Sequence, residues 1–167
     1  MMMTNITCDA TGQIFLNPYK LIIKSKIING FNALNRGDYQ PVTALFADNV
    51  HYWFSGGSAV GGERHSRKAC EAWFVRLLKL LPGQFTIQNM QITGMPWATT
   101  VVTRFQDVVT PQLGAPYSND GMQVICIRWG KAVSVRTYVD TLKVNHALRY
   151  MAENGVVEAA AKPIEDW

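Results

Sequence analysis

Residues 116–142 read PYSNDGMQVICIRWGKAVSVRTYVDTL, and this stretch decides the fold. From about 121 to 129 and again from about 132 to 142, apolar and polar residues alternate with a period of two, the spacing of strands that cover one face. Trp129-Gly130-Lys131 separates the two runs and is too short for anything but a tight reversal, so they form an antiparallel hairpin. The same period extends upstream through strands at about 84–93 and 98–110, broken by Gly94-Met95-Pro96 and by Pro111 to Pro116. In the earlier of these, Phe85 and Ile87 keep one phase and Met90 and Ile92 the other, which predicts a bulge near Gln88-Asn89.

Before residue 84 the period changes to that of helices. Cys70, Trp73, Phe74, Leu77, Leu78 and Leu81 form one stripe from Ser66 to Leu81, ended by Pro82-Gly83. Val50-His51-Tyr52-Trp53-Phe54 is a β-rich run that stops at Ser55-Gly56-Gly57. Asn17-Pro18 supplies a cap and a first-turn proline for a helix over about 18–35, with Ile23, Ile27, Phe31 and Leu34 on one face. Asp38 caps a short second helix in which Val42, Leu45 and Phe46 share a face, and a last helix starts near Asn145. Helices first and antiparallel hairpins afterwards predict an α+β domain with the helices against one face of a curved sheet.

The chain of 167 residues suffices for one core, since a domain of that size buries roughly two thirds of its unfolded surface. No repeat or low-complexity linker divides it. Residues 1–17 read as an N-terminal extension, 18–150 as the domain and 151–167 as a C-terminal tail. Cys8, Cys70 and Cys126 are odd in number and widely spaced, which predicts reduced, buried thiols and, with no basic and apolar leader, a cytoplasmic protein. No stretch approaches the ~20 apolar residues of a membrane span.

Net charge is +4, but the basic residues are scattered and only Arg64-His65-Ser66-Arg67-Lys68 clusters. Without interleaved aromatics this reads as a solvated helix entrance, and nucleic acid is not an expected partner. Ser55 to Gly62 lacks the lysine of a phosphate loop and the G-x-G-x-x-G of a dinucleotide site, so no cofactor is expected. His51, His65 and His146 have no second ligand at i+2 or i+4, and no metal is expected.

The element order, with Leu45-Phe46-Ala47-Asp48-Asn49-Val50 between second helix and first strand, resembles the nuclear-transport-factor-like superfamily of cystatin-like fold. Tyr117 and Asn119, the apolar strand Met122 to Trp129, Gly130-Lys131 and then Arg136-Thr137-Tyr138-Val139-Asp140 resemble the SnoaL-like, ketosteroid-isomerase-related pattern over roughly residues 18–150. The resemblance implies a cone-shaped sheet around a cavity for a small apolar or weakly acidic molecule, and a homodimer paired through the convex face. It does not settle the reaction, because one fold hosts many chemistries.

Given that cone, alternation assigns the cavity side chains. Tyr52 and Phe54 face inward on the first strand, Arg104, Gln106 and Val108 on the third, Asn119 and Gln123 on the fourth, and Thr137 and Val139 on the last; Trp73 joins them from the helix. Asp107 and Asp140 fall on the outer face with Arg136 and Tyr138, although one bulge would turn Asp107 inward. Limonene-epoxide hydrolases, which the layout resembles, use an Arg-x-Asp pair and a further Asp; those places read Arg104, Gln106 and Thr137, so both carboxylates are missing. The carboxylate places of ketosteroid isomerases read Phe54 and Met122.

Three function classes stay open. In the first, a cofactor-free isomerase, cyclase or lyase uses Tyr52, Arg104 and Gln106 to stabilise an enolate or alkoxide of a polyketide-, steroid- or terpenoid-like substrate, with Asp107 a further catalytic candidate. In the second, Arg104 anchors a small acid in a non-catalytic binding protein. In the third, the pocket is filled by the protein's own aromatics and the outer sheet face binds other proteins. An outward Asp107 favours the second; an inward one favours the first.

Overall fold

The computed structural model describes residues 17–167, together with the backbone of two short antiparallel strands, Thr7–Cys8 (β1) and Ile14–Phe15 (β2). The burial expected of Cys8 therefore lies outside the described residues, whereas Cys70 is free and buried and Cys126 free and half-buried. Asn17 accepts from the N–H groups of Tyr19 and Lys20 and starts helix α1, Pro18–Leu34, which buries Ile23, Ile27 and Phe31. Helix α2 is a single turn, Gln40–Thr43; Asp38 accepts from the Gln40 N–H, but Tyr39 occupies the capping position. Phe46 already belongs to strand β3, Phe46–Phe54, which begins earlier than its β-rich run suggests.

A short strand that periodicity does not reveal, β4 at Gly62–Arg64, precedes helix α3, Arg67–Leu80, whose cap is the Ser66 hydroxyl accepting from the Ala69 N–H. Strands β5 (Gly83–Met95), β6 (Ala98–Val109), β7 (Tyr117–Arg128) and β8 (Lys131–Val139) follow. Helix α4, Thr141–Glu153, starts four residues before Asn145 because Asp140 caps it by accepting from the Leu142 N–H.

The six longer strands form one mixed sheet in the order β4-β3-β8-β7-β6-β5, with β3 and β8 parallel and every other pair antiparallel. The expected bulge is present between Ile87 and Asn89. A second irregularity in the β7–β8 pairing lies at Cys126/Ile127. Helices α1 and α3 pack on β5 and β3. One apolar core, including Ile23, Phe31, Val50, Trp73, Phe105 and Val135, fills the space between helices and sheet.

The stretch 151–167 is built into this core rather than trailing from it. Met151 is completely buried and Ala159 is buried, the latter in a 3-10 turn at Val157–Ala160. Asp166 then accepts from the His65 N–H and from the Ser66 hydroxyl. No described helix is long and apolar enough to cross a membrane.

Candidate active site

The inner face of β6 carries Val101, Thr103, Phe105, Asp107 and Val109, all buried, and its outer face carries Arg104, Gln106 and Val108, all exposed. The phase that alternation assigned to this strand is therefore reversed. Energetics explain the reversal: burying Phe105 contributes about 2–3 kcal/mol, whereas an unpaired guanidinium in its place costs several. Arg104 instead lies in solvent, 3.9 Å from Asp120 on the neighbouring strand. A carboxylate, Asp107, thus stands on the inner face of β6, where the resemblance had left none. Met122 is exposed, with Gly121 and Gln123 turned inward beside it.

A cavity of about 110 Å³ lies between the sheet and helices α1 and α3. Tyr52, Phe54, Trp73, Asn119, Gln123, Thr137 and Val139 line it as alternation predicts, and Asp107 and Tyr117 join them. Arg104, Gln106 and Val108 do not. The wall is mainly apolar, with Phe31, Phe85 and Phe105 clustered at ring separations of 5.6–6.0 Å.

Asp107 is the buried charged group of this wall, to which the exposed Lys26 also contributes. It is 7% exposed, and its Oδ1 has no hydrogen-bond partner. Burial pushes its carboxyl from 3.8 up to about 6, with the backbone at Asn119 and at Asp107 itself pulling part of the way back. Asn119 stands directly opposite in the β6–β7 ladder, but its amide is occupied: its oxygen accepts from the Asp140 N–H at 3.0 Å and ties β7 to the end of β8. Tyr117, two residues away on the same face, is the diagonal neighbour. Burial and the charge of Asp107 both raise its phenol, so it remains a protonated donor.

A second polar group gathers around Thr137. The Gln123 amide donates to its hydroxyl at 3.0 Å, and the Tyr52 hydroxyl lies 3.3 Å away. Burial pushes the Tyr52 phenol up to about 12, the Thr137 hydrogen bond opposing it. Among the described residues the completely buried cation is Arg64, which the sequence places in a solvated cluster. It donates to the carbonyls of Gly61 at 2.9 Å and Gly62 at 2.7 Å, and its guanidinium carbon lies 5.3 Å from the Tyr52 ring centre and 5.0 Å from that of Trp73. Trp73 in turn donates from Nε1 to the Val60 carbonyl at 2.7 Å, fastening the glycine-rich loop to α3.

Helices on a curved mixed sheet, closing around an apolar cavity with one inward carboxylate, define the nuclear-transport-factor-like architecture. The SnoaL-like domain model matches residues 28–135, and the chain belongs to that family. Among solved structures it is similar to PrhC from Penicillium brasilianum, at 13% identity and TM-score 0.68, covering 85% of this chain and 94% of that one. It is similar also to a candidate isomerase from Bacillus subtilis, at 18% identity and TM-score 0.66, covering 80% and 96%. An NTF2-like protein of unknown function from Burkholderia pseudomallei, 17% identical with TM-score 0.66, covers 74% and 95%. At these identities the likeness is one of fold. No curated protein matches the chain.

Proposed function

We propose that the chain is a cofactor-independent acid–base enzyme of the isomerase, cyclase or lyase kind, with Asp107 as its base. One observation carries this reading: a buried carboxylate with one oxygen unpartnered, pushed up to about 6, stands in the wall of an apolar cavity. Burying an unsatisfied carboxylate is costly to the fold, and a base poised near neutral pH is what abstraction of a carbon-bound proton needs. Asp107 takes a proton from the carbon beside a substrate carbonyl. Tyr117, held protonated, donates to the developing enolate oxygen, and Asp107 returns the proton to a different atom. Arg104 and Gln106, on the outer face, take no part.

Cavity size narrows the substrate. An apolar hole of roughly 150 Å³ admits benzene, and pockets for drug-sized ligands begin near ~300 Å³. A volume of about 110 Å³ favours one small ring or a short branched chain over a terpenoid or four-ring steroid skeleton. A binding protein without chemistry is the second reading. Its support is that Gln123, Thr137 and Tyr52 already bond to one another rather than presenting free donors.

The test is exchange of α-protons of 2-cyclohexen-1-one in D2O, followed by proton NMR. The wild type is expected to accelerate exchange, with an acid limb near pH 6 that Asp107→Asn abolishes and Tyr117→Phe weakens. Saturable quenching of tryptophan fluorescence without exchange favours the binding protein. Exchange that survives Asp107→Asn unchanged refutes the assignment of the base.

A further inference from the structure

We propose a zinc-class metal site at the outer edge of the sheet, formed by His51 on β3, Glu63 on β4 and His65 just beyond it. The pairing Tyr52↔Arg64 sends those two side chains into the core. The residues one step along each strand therefore project from the other face, and continuing the same register sets His51 opposite His65 with Glu63 on the diagonal. Spacing along the sequence hides this cluster, because His51 is on β3 while Glu63 and His65 lie on and just after β4, and only the pairing brings them together.

The geometry is that of a partly assembled chelate. The donor atoms of the three residues lie within 4.8 Å of one another, and all three residues are half-buried. His51 Nε2 lies 2.8 Å from Glu63 Oε2. The two imidazoles are stacked, 4.7 Å apart and 9° from parallel. His65 Nε2 is buried without a partner, so the cluster as an ion pair leaves one of its nitrogens unsatisfied. Metal bonds of about 2.0–2.2 Å draw the donors closer together, a movement made by side-chain torsions.

Two imidazole nitrogens and one carboxylate oxygen suit Zn²⁺, which takes three protein ligands and leaves a fourth position for water; Ca²⁺ and Mg²⁺ prefer oxygen alone. The end of the chain already braces the site. Asp166 accepts from the His65 N–H at 2.6 Å, and the Trp167 ring lies 5.1 Å from the His65 ring. Because these side chains leave β3 on the face opposite Tyr52 and Phe54, the metal site is separate from Asp107 and its cavity.

The full chain, stripped with chelator and dialysed, is titrated with Zn²⁺ by calorimetry, and separately with Co²⁺ followed by visible absorption. The expected result is one equivalent of Zn²⁺ and the absorption of low-coordinate Co²⁺. His65→Ala and Glu63→Gln should each weaken Zn²⁺ at least tenfold. His51→Gln, which keeps a donor toward Glu63, should do the same while leaving the thermal midpoint of the metal-free protein near that of the wild type. His146→Ala, an exposed histidine on α4, should bind as the wild type does. Absence of stoichiometric Zn²⁺ in the wild type overturns the proposal. So does equal binding by the site variants, or equal loss in His146→Ala.

Discussion

Asp107 and Arg64 share a circumstance, a charged side chain buried without an opposite charge bonded to it, and the fold treats them differently. Arg64 donates from its Nη atoms to backbone carbonyls and lies against two aromatic rings, with only Nε unpartnered; Asp107 keeps one carboxylate oxygen bare. Arg64→Met should thus destabilise by about 3 kcal/mol in denaturant melts, since carbonyls at Gly61 and Gly62 lose a charged donor. Arg104→Met, on the surface beside Asp120 at 3.9 Å, should cost less than about 0.5 kcal/mol. For Asp107 the sign is the reverse. Its carboxyl titrates at about 6 in the fold against an ordinary 3.8, so the folded state holds the proton more tightly. The resulting stabilisation is complete below about pH 4 and is lost as pH rises through 6. Asp107→Asn should therefore raise the unfolding free energy by about 2 kcal/mol at pH 8 and change it little at pH 4, measured by urea melts at the two pH values.

At the scale of elements, the cross-strand pair Phe105↔Gly121 explains a glycine at the start of a strand read from the sequence at about 121–129. A Cβ on Gly121 would lie 2.2 Å from the Phe105 ring, so the missing side chain is the space the ring occupies. Gly121→Ala should cost about 1–3 kcal/mol through overpacking and displace Phe105 toward the cavity, read by melts and by loss of ligand binding. The elements themselves were mostly legible. The Asn17-Pro18 helix start, the Ser66 to Leu81 stripe, the bulge near Gln88 and the turn at Gly130 each follow from local chemistry. Strand β4 was not legible, because three residues are too few to establish a period.

For the whole molecule, the outer sheet face is the expected surface of self-association. Val108 is 53% exposed, Met122 45% and Tyr138 39%, and they stand on β6, β7 and β8, three successive strands. Phe105, expected from the sequence on this face, is in the core. Light scattering at micromolar concentration should give a homodimer, and Met122→Glu should give a folded monomer; a monomeric wild type would refute the pairing.

Local sequence by itself determined most of the helices and strands, the bulge and turn between them, and that they share one core. Turn residues, caps and period act within a few neighbours, so one chain suffices to read them. Only the tertiary structure decided which face of β6 is inside. Both of its phases hold apolar and polar residues, and alternation alone is indifferent between Arg104 and Asp107. The choice came from what each phase meets: Phe105 finds the Phe31 and Phe85 rings, while Arg104 finds water. Likewise the burial of Arg64 and the meeting of His51, Glu63 and His65 depend on the pairing of β3 with β4, and the docking of the chain's end on contacts about a hundred residues apart in sequence. Such encounters are set by packing, and no local pattern encodes them.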